Sequence, residues 1–211
     1  MEKTAIILAG GLSKRFGHDK GLLKLAGKPL IFHVLDNIST LVDELLVVVG
    51  SKNQEKAYTP ILKAKAQILI DKYETQNPII GALTGFESTL NRYSLILSCD
   101  TPFVSRKIVH FLLEECISND AAIPRWPNNY LEPLQAVYNT KSALTATIQT
   151  LKEPNPDMLK MIARLKKVSY IASTTLTKMD PLLLSFFNIN TPHDLRKAED
   201  ILSSKMKQQS L

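Results

Sequence analysis

The chain has 211 residues, 45% of them hydrophobic, with a formal charge of +6 from 26 basic and 20 acidic side chains. That supplies the core of one folded body and suits phosphorylated ligands, while the lack of a long basic block or basic-aromatic repeat argues against a nucleic-acid groove. Only two cysteines, Cys99 and Cys116, argue against a disulfide scaffold or a zinc cluster and point to a cytoplasmic setting; no membrane is expected, because no apolar run reaches the roughly 20 residues of a spanning helix.

In chain order, residues 4–9 read as an apolar strand that runs into Gly10-Gly11, Arg15-Phe16-Gly17 and Lys20. Backbone approaches a phosphate closely only where side chains are absent, and exposed N–H groups complement its charge. The spacing is not a P-loop, because Gly17 is followed by His18-Asp19-Lys20; nor is it a dinucleotide fingerprint, because Gly10 and Gly11 are adjacent. A helix is expected at 30–41, strands at 45–49 and 67–70, a helix at 79–90, a strand at 95–98, a helix at 108–116 and a strand at 121–124.

This alternation predicts an α/β fold with a mostly parallel, Rossmann-like sheet, helices on both faces and ligands beyond the strands' carboxyl ends. The C-terminal part is less regular, with a strand at 135–138, a helix at 142–151, a strand at 168–171 and antiparallel elements expected in this half. Asp157 starts a further helix, and Thr191-Pro192-His193-Asp194 has the cap, the proline and the acid of a strong helix start. Residues 1–202 are expected to form a single domain and 203–211 a flexible tail.

Several side chains in this frame carry candidate chemistry. Asp100 follows the strand at 95–98 and precedes Thr101-Pro102, so it falls at the sheet's ligand-binding edge. Magnesium accepts one or two carboxylates plus phosphate oxygens and water, so this single acid suffices if a nucleotide completes the shell; the alternative is a turn cap. Asp71 ends the strand at 67–70 and either holds a nucleotide or makes a turn. Gly81 and Gly85 share a helix face and either leave room for a base or let the helix approach the sheet. Asn188 and Asn190 would face one way if Ile189 lies in a strand, and Trp126 would stack on a flat ligand or pack beside Pro127.

Together, Leu8-Ala9-Gly10-Gly11, Arg15-Phe16-Gly17, Asp19-Lys20-Gly21-Leu22-Leu23, Gly27-Lys28-Pro29-Leu30, Cys99-Asp100-Thr101-Pro102 and Asn188-Ile189-Asn190-Thr191-Pro192 resemble the molybdenum cofactor guanylyltransferases, within the broader nucleotidyltransferases. The resemblance spans nearly the whole chain. It implies that Leu8, Ala9, Gly10 and Gly11 bind the nucleotide, Lys20 its phosphates and Asp71 the nucleotide region, with Asp100 on Mg2+ and Arg15 neutralising phosphate. The implied reaction is transfer of GMP from GTP to the phosphate of molybdopterin or molybdenum-molybdopterin, with pyrophosphate released. A molybdoenzyme or cofactor-delivery protein would receive the product. The chain departs from the family pattern at Gly50 and Asn77, which bears on base selection. Competing readings are a nucleotidyltransferase using CTP or a sugar or alcohol phosphate, and a noncatalytic molybdopterin or nucleotide carrier. Arg125, Trp126 and Glu132 are candidate pterin contacts.

Overall fold

The computed structural model describes residues 2–10, 19–63, 65–73 and 77–209, with side chains through residue 204. Chain order is β1 (Lys3–Leu8), β2 (Lys24–Leu25), β3 (Lys28–Pro29), α1 (Leu30–Ile38), β4 (Glu44–Val49), α2 (Lys52–Leu62), β5 (Gln67–Ile70), α3 (Pro78–Ser88), β6 (Tyr93–Ser98) and α4 (Arg106–Glu115). There follow β7 (Ala121–Arg125), β8 (Gln135–Asn139), α5 (Thr140–Thr150), α6 (Met158–Ile162), β9 (Val168–Ala172), α7 (Ser173–Leu176) and α8 (Pro192–Gln209).

All seven expected strands join one sheet, in the order β5-β4-β1-β6-β8-β7-β9. β1 sits between β4 and β6, parallel to both, with Ile6 opposite Leu46 on one side and Ile96 on the other. β8 runs antiparallel to β6 and β7, so the expected antiparallel pairing is present, while β7 and β9 are parallel. Strands buried on both faces need apolar side chains at every position, which the run Ala5-Ile6-Ile7 supplies. Ala5, Ile7, Leu95 and Leu97 face α1, α2 and α4; Ile6, Leu46, Val48 and Ile96 face α3, α5 and α6.

α3 lies close against the second face. A Cβ on Gly85 would meet Ile6 side-chain carbons at 2.4, 2.8 and 2.9 Å, so glycine here is a packing requirement, one of the two alternatives weighed for it. Asn77 caps this helix by accepting from the Ile79 N–H at 3.2 Å, and Pro78 occupies its first turn. Asp157 likewise caps α6 through the Lys160 N–H at 2.8 Å. Thr191 Oγ1 accepts from the Asp194 N–H at 3.2 Å, while the Asp194 carboxylate accepts from the Thr191 N–H at 2.8 Å, a reciprocal lock at the start of α8. α8 continues helical through Gln209, so residue 203 lies within it.

Beside the four-residue α7, two further features differ from the expected elements. α2 was not anticipated because only Gln54, Tyr58 and Leu62 are buried along it and Pro60 lies within it, leaving little apolar periodicity. The hairpin β2–β3 has two residues per strand, too few for an alternation signal; its turn, Ala26-Gly27, takes positive φ at both positions, 49° and 79°. This hairpin packs Leu25 with Leu30, Phe103, Ile189 and Ala198, which ties α8 to the edge of the sheet where the strands of the parallel half end.

Candidate active site

β1, β4, β5 and β6 are parallel, so their carboxyl ends share one edge, and the candidate residues collect there. The Ala9 N–H donates to Val48 O at 2.8 Å and the Cys99 N–H to Leu8 O at 3.1 Å, which extends the pairing just past the strands and fixes both termini. Beyond that edge a cavity of about 280 Å³ is lined by residues that include Leu8, Gly10, Lys20, Asp71, Gly81 and Asp100.

Asp100 is 7% exposed. The Ser98 hydroxyl donates to its Oδ1 at 2.6 Å, and the Lys20 ammonium donates to its Oδ2 at 2.9 Å. Thr101 Oγ1 donates back to Ser98 O at 2.9 Å and closes the turn that holds the acid. Lys20 Nζ also donates to Asn190 Oδ1, and the Ile189 N–H donates to Asp100 O at 3.0 Å, so the segment before α8 is fastened to the same point. One half-buried cation is thus shared by an acid from β6 and an amide from the distant C-terminal part.

Asp71 stands at the other end of the cavity. Its N–H donates to Val49 O at 2.8 Å, and Thr84 Oγ1 donates to its Oδ1 at 3.2 Å. Burial pushes its carboxyl up to about 6, opposed by the Thr84 hydrogen bond. A Cβ on Gly10 would lie 3.0 Å from the Gly50 N and 3.4 Å from Asp71 Oδ2; one on Gly81 would lie 3.0 Å from Leu8 and 3.6 Å from Asp71 Oδ1. Of the two glycines on the α3 face, Gly81 therefore borders the cavity and Gly85 serves packing.

Leu8, Gly10, Lys20, Asp71 and Asp100 are brought together, and Ala9 lies between two of them with its backbone engaged. Gly11, Arg15 and Gly17 lie outside the described residues. Asn188 and Asn190 are not in a strand: Ile189 is buried between them, Asn190 reaches Lys20, and exposed Asn188 donates to Phe186 O at 3.3 Å. Trp126 packs edge-to-face on Phe186, 5.7 Å between centroids, and its indole N–H donates to Glu132 at 2.6 Å. Packing on Phe186 is thus one use of that ring; Trp126 and Glu132 also line a recess with Tyr130, apart from the cavity of Gly10 and Asp100. The Arg125 guanidinium sits 5.4 Å from the Tyr170 ring centroid. Cys99 is buried beneath Asp100, and burial pushes its thiol well above the usual range, which keeps it neutral and a poor nucleophile.

Three site residues carried no clear sequence signal as such. Asp19, Gln54 and Tyr58 form a partly buried hydrogen-bonded group next to Lys20. Asp19 stood inside the Asp19-Lys20-Gly21 motif, but Gln54 and Tyr58 lie on the unanticipated α2.

An acid, a cation and close-approach backbone around one cavity can hold a polyanion and neutralise charge within it. Comparison with known proteins bears on which polyanion. A family described as the MobA-like NTP transferase domain matches residues 5–168. A probable molybdenum cofactor guanylyltransferase of Methanosarcina acetivorans is 32% identical over 199 residues, which cover 92% of this chain and 88% of that one. A probable molybdenum cofactor guanylyltransferase of Natranaerobius thermophilus is 35% identical over 203 residues, covering 94% and 96%. Among solved structures, the molybdopterin-guanine dinucleotide biosynthesis protein A of Archaeoglobus fulgidus superposes with a TM-score of 0.81 at 31% identity, covering 96% of this chain and 99% of its own.

Proposed function

This chain belongs to the MobA-like NTP transferase family, and on that premise we propose that it transfers GMP from GTP to the phosphate of molybdopterin or molybdenum-molybdopterin, releasing pyrophosphate and forming a guanine dinucleotide cofactor. The reading rests above all on the single cavity that Gly10, Lys20, Asp71 and Asp100 share. A molybdoenzyme or delivery protein then takes the product. The setting we infer is cytoplasmic, consistent with two buried free cysteines. Among the described residues, no helix is long and apolar enough to cross a membrane.

The acceptor needs no activation by a serine or cysteine. A phosphate monoester has a second pKa near about 6, so its oxygen is largely anionic at neutral pH. That oxygen attacks the α-phosphorus of GTP; the bond from the α-phosphorus to the α–β bridging oxygen breaks, and its electron pair leaves with pyrophosphate. The protein's work is to align donor and acceptor and to oppose charge on the leaving group. Lys20, with Arg15 and the amides of the glycine-containing loop that begins at Gly10, supplies that charge. Asp71 accepts hydrogen bonds from the nucleoside end.

Asp100 is the residue that would hold Mg2+. Among the described residues no cluster of three or more metal-ligating side chains occurs, so an ion here draws on one carboxylate, phosphate oxygens and water, a shell magnesium accepts. The donor fits, since Asp100 Oδ2 already bears a cation, the Lys20 ammonium, at 2.9 Å. When bound, the ion supplies charge neutralisation to the donor phosphates.

The carboxyl of Asp71 gives a pH prediction. Its folded value is about 6 against an ordinary 3.8, so an acceptor role needs a pH above about 6. GTP affinity should fall as pH drops through that value, and Asp71→Asn should reduce the dependence to the part that the terminal phosphate of GTP contributes by its own titration, as binding titrations on either side of it will report. The contribution to folding stability has the opposite sign. Between 3.8 and about 6 the folded chain holds the proton and the unfolded chain does not, so this group's contribution is full at low pH and lost as pH rises through about 6. A panel of nucleoside triphosphates and phosphorylated acceptors tests the function itself: GTP with molybdopterin is the expected pair, and preference for CTP or a sugar phosphate would overturn it.

A further inference from the structure

Asp19 precedes the phosphate-binding lysine, yet its carboxylate points away from that chemistry into the protein. Its Oδ1 accepts from the Tyr58 hydroxyl at 2.5 Å and from the Gly21 N–H at 3.1 Å, and its Oδ2 accepts from Gln54 Nε2. Gln54 and Tyr58 are four residues apart on α2 and so share one face; they are 7% and 0% exposed. Neither lines the cavity.

Gln54 reaches in two further directions. Its Nε2 lies 3.3 Å from Ala9 O, and its Oε1 accepts from the Gly50 N–H at 2.8 Å. The same amide therefore grips the backbone where the chain leaves β1 and the carboxylate where the chain returns at Asp19. Ala9 and Asp19, ten residues apart, are thereby tied to one side chain. The Gly21 turn is pressed on the phenol as well: a Cβ there would lie 2.2 Å from the Tyr58 hydroxyl oxygen.

The arrangement also assigns charges. Lys20 has two acids nearby in sequence or space, Asp19 and Asp100, and an ammonium drawn to the first would be turned from the cavity. Three donors satisfy Asp19 from behind, and the ammonium is bonded instead to Asp100 and Asn190. Asp19 also caps the short turn Lys20–Leu22, whose closing hydrogen bond runs from the Leu23 N–H to Lys20 O at 3.1 Å, so the lysine backbone is set by the carboxylate that α2 holds.

We propose that Gln54 and Tyr58 are positioning residues for triphosphate binding, acting through Asp19 on Lys20. The proposal rests on the nucleotide-binding part of the reading above. Its prediction is non-additivity: residues that act through Lys20 have little to contribute once Lys20 is gone.

The test is GTP affinity of Tyr58→Phe and Gln54→Met, each made in the parent chain and in Lys20→Ala. Phenylalanine keeps the buried ring, and methionine keeps the length of the amide side chain, so thermal unfolding can verify that each variant folds. Each is expected to weaken GTP about tenfold in the parent, the worth of a hydrogen bond to a charged group, and less than about twofold in Lys20→Ala. Equal losses in the two backgrounds would make the residues merely structural, and no loss in the parent would remove them from binding; either result overturns the proposal. If the parent binds GTP but forms no guanine dinucleotide, the proposed reaction fails while this comparison still decides the positioning role.

Discussion

Asp100→Asn is expected to lower guanylyl transfer by about 10²–10³-fold, or about 3–4 kcal/mol of transition-state stabilisation, while the chain stays folded. Asparagine preserves the volume of a side chain that is 7% exposed and can still accept from the Ser98 hydroxyl. What it loses is the negative charge that would hold a divalent ion against the donor phosphates. The cost in stability should be below that of an uncompensated buried charge, because Lys20 keeps Asn190 as a partner and its side chain retains 20% exposure to water. Pyrophosphate release against time, with urea unfolding as the control, separates the two effects. Turnover near that of the parent would strip Asp100 of its role.

Lys20→Ala should cost a similar factor in kcat/KM, about 10²–10³-fold, with a clear part of it in weaker GTP binding. The reason lies in the geometry of the ammonium. It is one point charge, 2.9 Å from Asp100 Oδ2, bordering the same cavity as Gly10 and Asp71, so a triphosphate seated there meets it directly. Removing it leaves a largely buried carboxylate without its cation, and Lys20→Ala should be the less stable of the two variants, since Asp100 is more deeply enclosed than Lys20. Steady-state kinetics at varied GTP, read beside direct binding, would show the split. GTP affinity equal to that of the parent would contradict the assignment of Lys20 to the phosphates.

Strands and the residues at their ends were the legible part of this chain. Runs such as Ala5-Ile6-Ile7 and Leu95-Ile96-Leu97 declare strands buried on both faces, and parallel strands deliver whatever follows them to one edge. That is why Gly10, Asp71 and Asp100 could be assembled from sequence although they lie far apart along it. Asn190 was half legible: its motif was visible, but the alternation imagined around Ile189 gave way to a segment whose backbone is tied to Asp100 O.

The support behind the site was not legible. Gln54 and Tyr58 act through buried polar contacts on a helix that is mostly exposed and contains Pro60, so neither periodicity nor motif marks them. Trp126 illustrates the converse. A lone aromatic near polar residues invites a stacking role, and the structure adds contacts the sequence did not mark, Phe186 against its ring edge and Glu132 on its N–H. Partners such as Phe186 for Trp126 and Asp19 for Tyr58 come from distant segments, and spacing along the chain does not encode them.

The most direct measurement is mass-resolved product analysis with the purified chain, GTP, magnesium and molybdopterin. The predicted result is a molybdopterin guanine dinucleotide formed together with one pyrophosphate per product, lost in Asp100→Asn and in Lys20→Ala. GTP binding with no dinucleotide and no pyrophosphate, or product formation indifferent to both substitutions, would contradict the claim that this cavity carries out the transfer.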